Sequence, residues 1–320
     1  MGSCWPETAL LRRPSGGIVR LGVHLPLADL GAGQPTGEDL RTYTRTARDL
    51  GYTTLAANDH LIWRQPWLDG PTSLASVVSA AGDMALATSI TLPVVRHPVV
   101  VAKMLTTLAS LAQGPVVGGL GPGSSSADYE AVGIPFEERW ARFDEALRLV
   151  QALVRGEPTS PAKYYAAEFR LAPIPDRVPQ VWFGSWGSDR RLAAMAAAAD
   201  GWFASAYNAT PMQYREARVR LDDHLRAAGR EPDDFPDAIA TMWLFVTDSR
   251  REAEHVLTDV LAPALNRDPA QLVHLPIGSA ERCSEVLDGY AAAGAREVLL
   301  WPIRDTLHQL ERGMEAAASI

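Results

Sequence analysis

The sequence predicts an α/β fold, a (βα)8 TIM barrel with loop insertions at the C-terminal face of its strands. Three observations point there. Eight short β-rich runs alternate with helical patterns, the mark of βα units laid into a parallel sheet. A junction of helix, glycine and strand recurs at Leu50-Gly51, Asp200-Gly201 and Ala293-Gly294. The 320 residues hold the roughly 250 of such a barrel plus insertions, and no linker-like shift in composition divides them.

In chain order, residues 1–17 read as a disordered or loosely attached tail, because Arg12 and Arg13 follow a weak apolar stretch, the reverse of a secretory signal. Residues 18–320 read as one barrel domain. Its strands are expected at 19–25, 54–58, 85–91, 116–120, 181–184, 201–204, 239–246 and 298–301. The uncharged stretch 104–127 is long enough to span a bilayer, but Gln113, Gly114-Pro115 and the serines at 124–126 break it into helix, turn, strand and loop. Phe136, Trp140, Phe143, Leu147, Val150 and Val154 recur at helical spacing, so that helix coats the sheet with one apolar stripe. Residues 121–135 and the proline- and aromatic-rich 156–179 are the expected insertions.

Composition excludes several classes. Apolar residues are 47% and charged residues 21%, as in globular chains rather than disordered ones. A net charge of -8 has the wrong sign for neutralising a phosphate backbone, so nucleic acid is not an expected partner. Two cysteines, Cys4 and Cys283, cannot build a disulfide framework, which places the chain in the reducing cytoplasm. The seven histidines form no H-x-H or H-x-x-x-H pair, so no metal site is expected.

In a barrel of this kind the chemistry sits just after the strands. After the second come Asn58-Asp59-His60, a carboxylate and an imidazole able to move a proton near neutral pH. Strand alternation turns these side chains apart, and the plainer reading is a buried, hydrogen-bonded Asp59 beside a solvated His60. After the fifth comes Gly184-Ser185-Trp186-Gly187-Ser188, a glycine-serine turn feeding a helix start, whose free N–H groups suit a phosphate. Against it stand Ser188 as an ordinary N-cap and the negative Asp189. Gly119-Leu120-Gly121-Pro122-Gly123 completes no dinucleotide fingerprint, and reads as a strand exit that a flat ligand can approach. Arg96, His97 and Lys103 put positive charge beside the third strand, or simply form an exposed loop. Tryptophans 63, 67, 182, 186, 202, 243 and 301 lie near strand ends, where most must be packing. Cys283 falls on a core stripe with Leu287 and Tyr290.

Taken together, several motifs resemble the luciferase-like monooxygenase superfamily of flavin- and deazaflavin-dependent barrels. They are Ala47-Arg48-Asp49-Leu50-Gly51-Tyr52 leading to Asn58-Asp59-His60, Leu86-Ala87-Thr88-Ser89-Ile90 leading to Arg96-His97-Pro98, and Gly119-Leu120-Gly121-Pro122-Gly123-Ser124. Val132-Gly133-Ile134-Pro135-Phe136, Trp182-Phe183-Gly184-Ser185, Ala199-Asp200-Gly201-Trp202 and Gly278-Ser279-Ala280-Glu281 follow in order. The resemblance runs from about Arg20 to Arg304. It implies a ring cofactor across the strand mouths, F420 with FMN as the alternative, its phosphate near residues 184–187. It implies catalysis by His60 near the reactive ring face, and a non-prolyl cis peptide in Thr88-Ser89-Ile90 backing the ring. The residues expected to hold the cofactor are Asp59, Thr88, Ser89, Ile90, Gly121, Gly123, Gly184, Ser185, Trp186 and Gly187. Ser124 stands where the sugar-phosphate dehydrogenase branch carries an acidic residue, a departure from that branch.

The expected function is an oxidoreductase using F420 or reduced FMN for hydride transfer to, or monooxygenation of, a small organic substrate, without a membrane partner and with a homodimer as its assembly. A non-catalytic flavin-binding barrel is the rival. A metal-dependent lyase or isomerase would need carboxylates at several strand ends, which the sequence does not supply.

Overall fold

The computed structural model describes residues 10–12, 18–165 and 168–318. Eight parallel strands form its centre: β1 (Ile18–His24), β2 (Thr54–Ala57), β3 (Ala85–Thr91), β4 (Val116–Leu120), β5 (Gln180–Gly184), β6 (Gly201–Ser205), β7 (Asp237–Val246) and β8 (Glu297–Pro302). Each pairs with the next, and β1 closes the ring by pairing β2 at Val23↔Leu55 and β8 at Leu299↔Gly22. The fold is therefore the (βα)8 barrel the sequence predicts, and all eight strands end within two residues of their expected limits. Helices α1 (Gly37–Asp49), α2 (Gly70–Ser76), α3 (Pro98–Leu111), α4 (Arg139–Val154), α5 (Asp189–Ala198), α6 (Pro211–Ala227), α7 (Ala280–Ala292) and α8 (Thr306–Ala318) follow the strands in turn. No helix among the described residues is long and apolar enough to cross a membrane.

The barrel interior is filled by Ala56, Ala87, Ala238 and Ala240 set against Trp182, Phe203, Val117 and Leu299. Small side chains make room for large ones, so the centre is packed rather than open. Gly201 belongs to this packing. A Cβ there would stand 2.5 Å from the Trp182 indole, and the residue opens β6 rather than ending a helix. The other two glycine junctions are helix ends of the expected kind, with Gly51 at φ 92° and Gly294 at φ 98°.

Outside the sheet, α4 buries Phe143, Leu147, Val150 and Val154, while Trp140 at its start is only partly covered, as is Phe136, which lies before the helix in the 3-10 turn Phe136–Glu138. Leu10–Arg12 of the tail pairs antiparallel with β1 at Leu11↔Val19. Most of residues 1–17, Cys4 included, lies outside the described residues. A third insertion, which the sequence pattern does not announce, occupies 247–279 between β7 and α7. It contains a helix at Arg250–His255, a π-helix at Val256–Leu261 and a short strand, Ile277–Gly278, parallel to β7.

The two ends of the barrel differ in kind. At the N-terminal ends of β7 and β8 two acids are buried in hydrogen bonds. Asp237 holds Arg218 at 2.5 Å and the Tyr214 hydroxyl at 2.6 Å. Glu297 takes the hydroxyls of Thr53 and Thr54. The opposite end carries a cavity.

Candidate active site at the strand mouths

The site begins where β2 ends. Asp59 and His60 lie past the end of β2, both border one cavity, and each takes a different partner. Asp59 is 2% exposed and its two oxygens receive Arg96 at 2.6 and 2.7 Å, with the Thr91 hydroxyl at 2.9 Å. Arg96 pairs with Asp69 as well, and Lys103 donates to the Ala172 carbonyl at 2.6 Å, so both cations tie loops together. His60 is not solvated, for its side chain is 14% exposed. Its Nδ1 lies 2.9 Å from Oδ2 of Asp128, and its ring rests on Trp63 at 4.1 Å and against the edge of Trp67 at 5.2 Å.

Asp128 is a residue the sequence reading did not select. It lies in the insertion after β4, on the short helix Ser126–Glu130, and is fully buried. Its Oδ1 accepts the backbone N–H groups of Leu61 at 2.8 Å and Ile62 at 2.9 Å. The next residue, Tyr129, donates its hydroxyl to the Pro122 carbonyl and so ties this helix to the exit of β4.

On β3 the Ser89–Ile90 peptide is cis, as the resemblance implies. The Asn58 amide donates to the Ser89 carbonyl at 2.9 Å. Asn58 Oδ1 and Ser89 Oγ are buried without a hydrogen-bond partner. Thr88 points elsewhere: its hydroxyl donates to the Gly119 carbonyl at 3.0 Å, and it borders an apolar groove on the outer side between α2 and α3. Glycines at the exits of β4 and β5 serve this strand. A Cβ on Gly121 would fall 2.1 Å from Cδ1 of Ile90, and one on Gly184 2.6 Å from its Cγ2. They are glycines because Ile90 occupies the space their side chains would need.

In the 184–188 turn, Gly187 has φ 86° and donates its N–H to Ser185 Oγ at 3.2 Å. Ser188 occupies the N-cap of α5 but makes no side-chain cap bond, so its hydroxyl leaves the helix's first N–H groups free of capping. Asp189 is drawn off by His224 at 3.0 Å.

A cavity of about 450 Å³ unites these parts. Of the expected residues, Asp59, His60, Ser89, Ile90, Gly123, Gly184, Ser185 and Trp186 line it, while Thr88, Gly121 and Gly187 do not. Asn58, Ser124, Phe203, Tyr207 and Thr241 line it too, as do Trp140 from the start of α4 and Phe136 from the turn before it. Two guanidiniums reach the wall. Arg139 lies over the Phe136 ring at 3.9 Å, and Arg191 lies over Trp140 at 3.8 Å while bonding Asp144 at 2.7 Å. Behind Thr241, its N–H meets Nε2 of fully buried His24 at 3.3 Å. His24 stacks on Trp301 at 4.2 Å, and Trp301 on Trp243 at 4.0 Å. Burial lowers the His24 pKa to about 3, so this imidazole is neutral. Among the described residues no group of three His, Cys, Asp or Glu could hold a metal ion.

A profile of the luciferase-like monooxygenase family matches residues 20–297. The chain belongs to the luciferase-like monooxygenase family. Among its relatives in this family is an F420-dependent glucose-6-phosphate dehydrogenase of Beutenbergia cavernae, 39% identical over 168 residues, 48% of this chain. Another protein of that name, from Nakamurella multipartita, is 32% identical over 222 residues, 64% of this chain. The match spans 49% and 63% of those two relatives' own lengths, less than two thirds of either. A solved F420-dependent secondary alcohol dehydrogenase, in complex with an F420-acetone adduct, has the same fold at a TM-score of 0.77 and 18% identity, covering 93% of this chain and 98% of that one.

Proposed function

We propose that this luciferase-like chain is an oxidoreductase that binds F420, with FMN as the alternative, and moves a hydride to or from a small, uncharged organic substrate. One observation carries the reading: His60 with its Asp128 partner, Ser89 and Ile90, and the 184–188 turn converge on one cavity. The names of the relatives support F420 over FMN. When bound, the ring supplies the two-electron chemistry, and the protein's task is to bind, orient and handle a proton.

The residues present fit such a ring. Orphaned Asn58 Oδ1 and Ser89 Oγ offer polar contacts to a heteroatom-bearing edge, and Ile90, held inward by two glycines, gives it an apolar backing. The uncapped start of α5 and the Ser185 segment suit the cofactor phosphate. In this reading His60, which lines the cavity, takes the hydroxyl proton of an alcohol or returns it to a ketone. The substrate is read as uncharged because the cavity lining is mainly apolar and Arg191 is neutralised by Asp144, while Arg139 lies over the Phe136 ring and gives one N–H to its carbonyl. Ser124, which the resemblance sets where the sugar-phosphate branch has an acid, lines the cavity and supports a different substrate.

Titrating the purified protein with F420 and with FMN, followed by fluorescence, tests the reading. Selective uptake of F420 and turnover of uncharged alcohols or ketones are expected. Uptake of FMN alone would move the protein to the flavin branch, and uptake of neither would overturn the proposal. Tight binding without turnover would favour the non-catalytic barrel. The reading includes a cytoplasmic location, which rests on the two cysteines being too few for a disulfide framework. It also includes a homodimer, read directly by light scattering; a monomer at working concentration would remove that part.

A further inference from the structure

His60 and Asp128 are separated by 68 residues, yet the chain brings them together with more hydrogen bonds than a chance contact needs. Asp128 is fully buried, and its Oδ1 already accepts two backbone N–H groups, those of Leu61 and Ile62. Both are donors to Oδ1, and a carboxylate is an acceptor only, with no proton to give. The 2.9 Å contact between Oδ2 and the imidazole therefore needs its proton on Nδ1. Neutral imidazole carries one proton, so Nε2 is left bare. No described residue satisfies Nε2, and His60 lines the cavity.

We propose that Asp128 is a positioning residue that locks His60 in the Nδ1-protonated tautomer, presenting Nε2 to the cavity as a proton acceptor. The assignment rests on the reading of His60 given above and adds the group that sets its state. With F420 bound, the oxidised ring would supply the hydride acceptor for the carbinol carbon of an alcohol, and the hydroxyl proton would pass to Nε2, leaving a ketone, the reduced ring and an imidazolium. The positive charge that forms on His60 then lies beside the Asp128 carboxylate, which stabilises it without taking the proton. The reverse reaction returns the proton from Nε2 to the ketone oxygen. By holding Leu61 and Ile62 with its other oxygen, Asp128 also fixes the loop on which His60 rides.

The test is ¹⁵N NMR of the full chain labelled at histidine, at a pH where the imidazole is neutral, with His60 assigned by the signals that vanish in His60→Gln. Wild-type protein is expected to show a protonated Nδ1 and a bare Nε2. In Asp128→Asn the amide carbonyl can keep the Leu61 and Ile62 bonds, while its NH2 donates to Nδ1 and forces the proton to Nε2. The tautomer is expected to reverse. F420 affinity should then stay within about threefold, while kcat for an uncharged alcohol falls by about a hundredfold or more. A wild-type spectrum with Nε2 protonated overturns the proposal, and so does a folded Asp128→Asn that keeps the wild-type tautomer. Should Asp128→Asn not fold, the wild-type spectrum decides alone. If His60→Gln turns over at the wild-type rate, the catalytic reading of His60 falls, while the tautomer lock still stands or falls by the spectra.

Discussion

At the scale of single residues, His24 makes the sharpest statement about pH. It is fully buried, its Nε2 accepts the Thr241 N–H, and desolvation holds its pKa near 3 rather than 6.5. Between those values the unfolded chain binds a proton that the folded chain refuses. The neutral ring's contribution to stability is thus complete above pH 6.5 and is lost as the pH falls towards 3. Going from pH 6.5 to pH 5 should cost wild type about 1.5 kcal/mol more than His24→Gln, which has no imidazole at this position. Urea unfolding of both proteins at the two pH values measures the difference. Equal losses would mean that His24 is protonated in the native state. Neither its burial nor its stack on Trp301 was legible in the sequence, where His24 is one polar residue in a β-rich run. Asp128 was hidden for a related reason: its partner lies 68 positions away and only the folded insertion joins them.

Elements were far easier to read than the contacts between them. Strand runs and the α4 stripe follow from local periodicity, which hydrophobic burial imposes directly on neighbouring positions. The 247–279 insertion was missed because its short helix, π-helix and two-residue strand leave no such period. The 119–123 run reads in the sequence as a strand exit that a flat ligand can approach, and the 184–188 run as a phosphate turn; the folded chain adds that Ile90 of β3 packs against both Gly121 and Gly184, a neighbour that lies 31 and 94 positions away and leaves no local signal. This gives β3 to β5 a testable unity. Gly184→Ala would place a methyl 2.6 Å from Cγ2 of Ile90, and a β-branched side chain has little rotamer freedom with which to yield. Ile90 must move into the cavity. F420 binding should weaken about tenfold, the equivalent of roughly 1.4 kcal/mol. Gly184→Ala combined with Ile90→Ala should recover more than half of that loss. Wild-type affinity in Gly184→Ala alone would show that Ile90 does not set the shape of the site.

For the whole molecule, a division of labour between the barrel's two ends is the main consequence of the fold. Barrel chemistry gathers at the C-terminal ends of the strands, where every group assigned to the site lies, and the N-terminal ends are free to serve stability. Asp237, first residue of β7, is the strongest test of that division. It is fully buried, and it holds Arg218 and the Tyr214 hydroxyl together with the Arg296 backbone N–H at 3.1 Å. Asp237→Ala would leave the Arg218 guanidinium in place without its buried counter-charge, a situation that costs about 3–5 kcal/mol. The lower end of that range is expected here, because Arg218 keeps Asp222 at 2.8 Å and the Pro232 carbonyl at 2.7 Å. The urea midpoint should fall with little change in the m-value, since the surface exposed on unfolding is nearly the same. Folded Asp237→Ala should bind F420 within about twofold of wild type, an energy difference below roughly 0.5 kcal/mol. Loss of affinity at unchanged stability would reverse the assignment and make the β7 start part of the binding machinery.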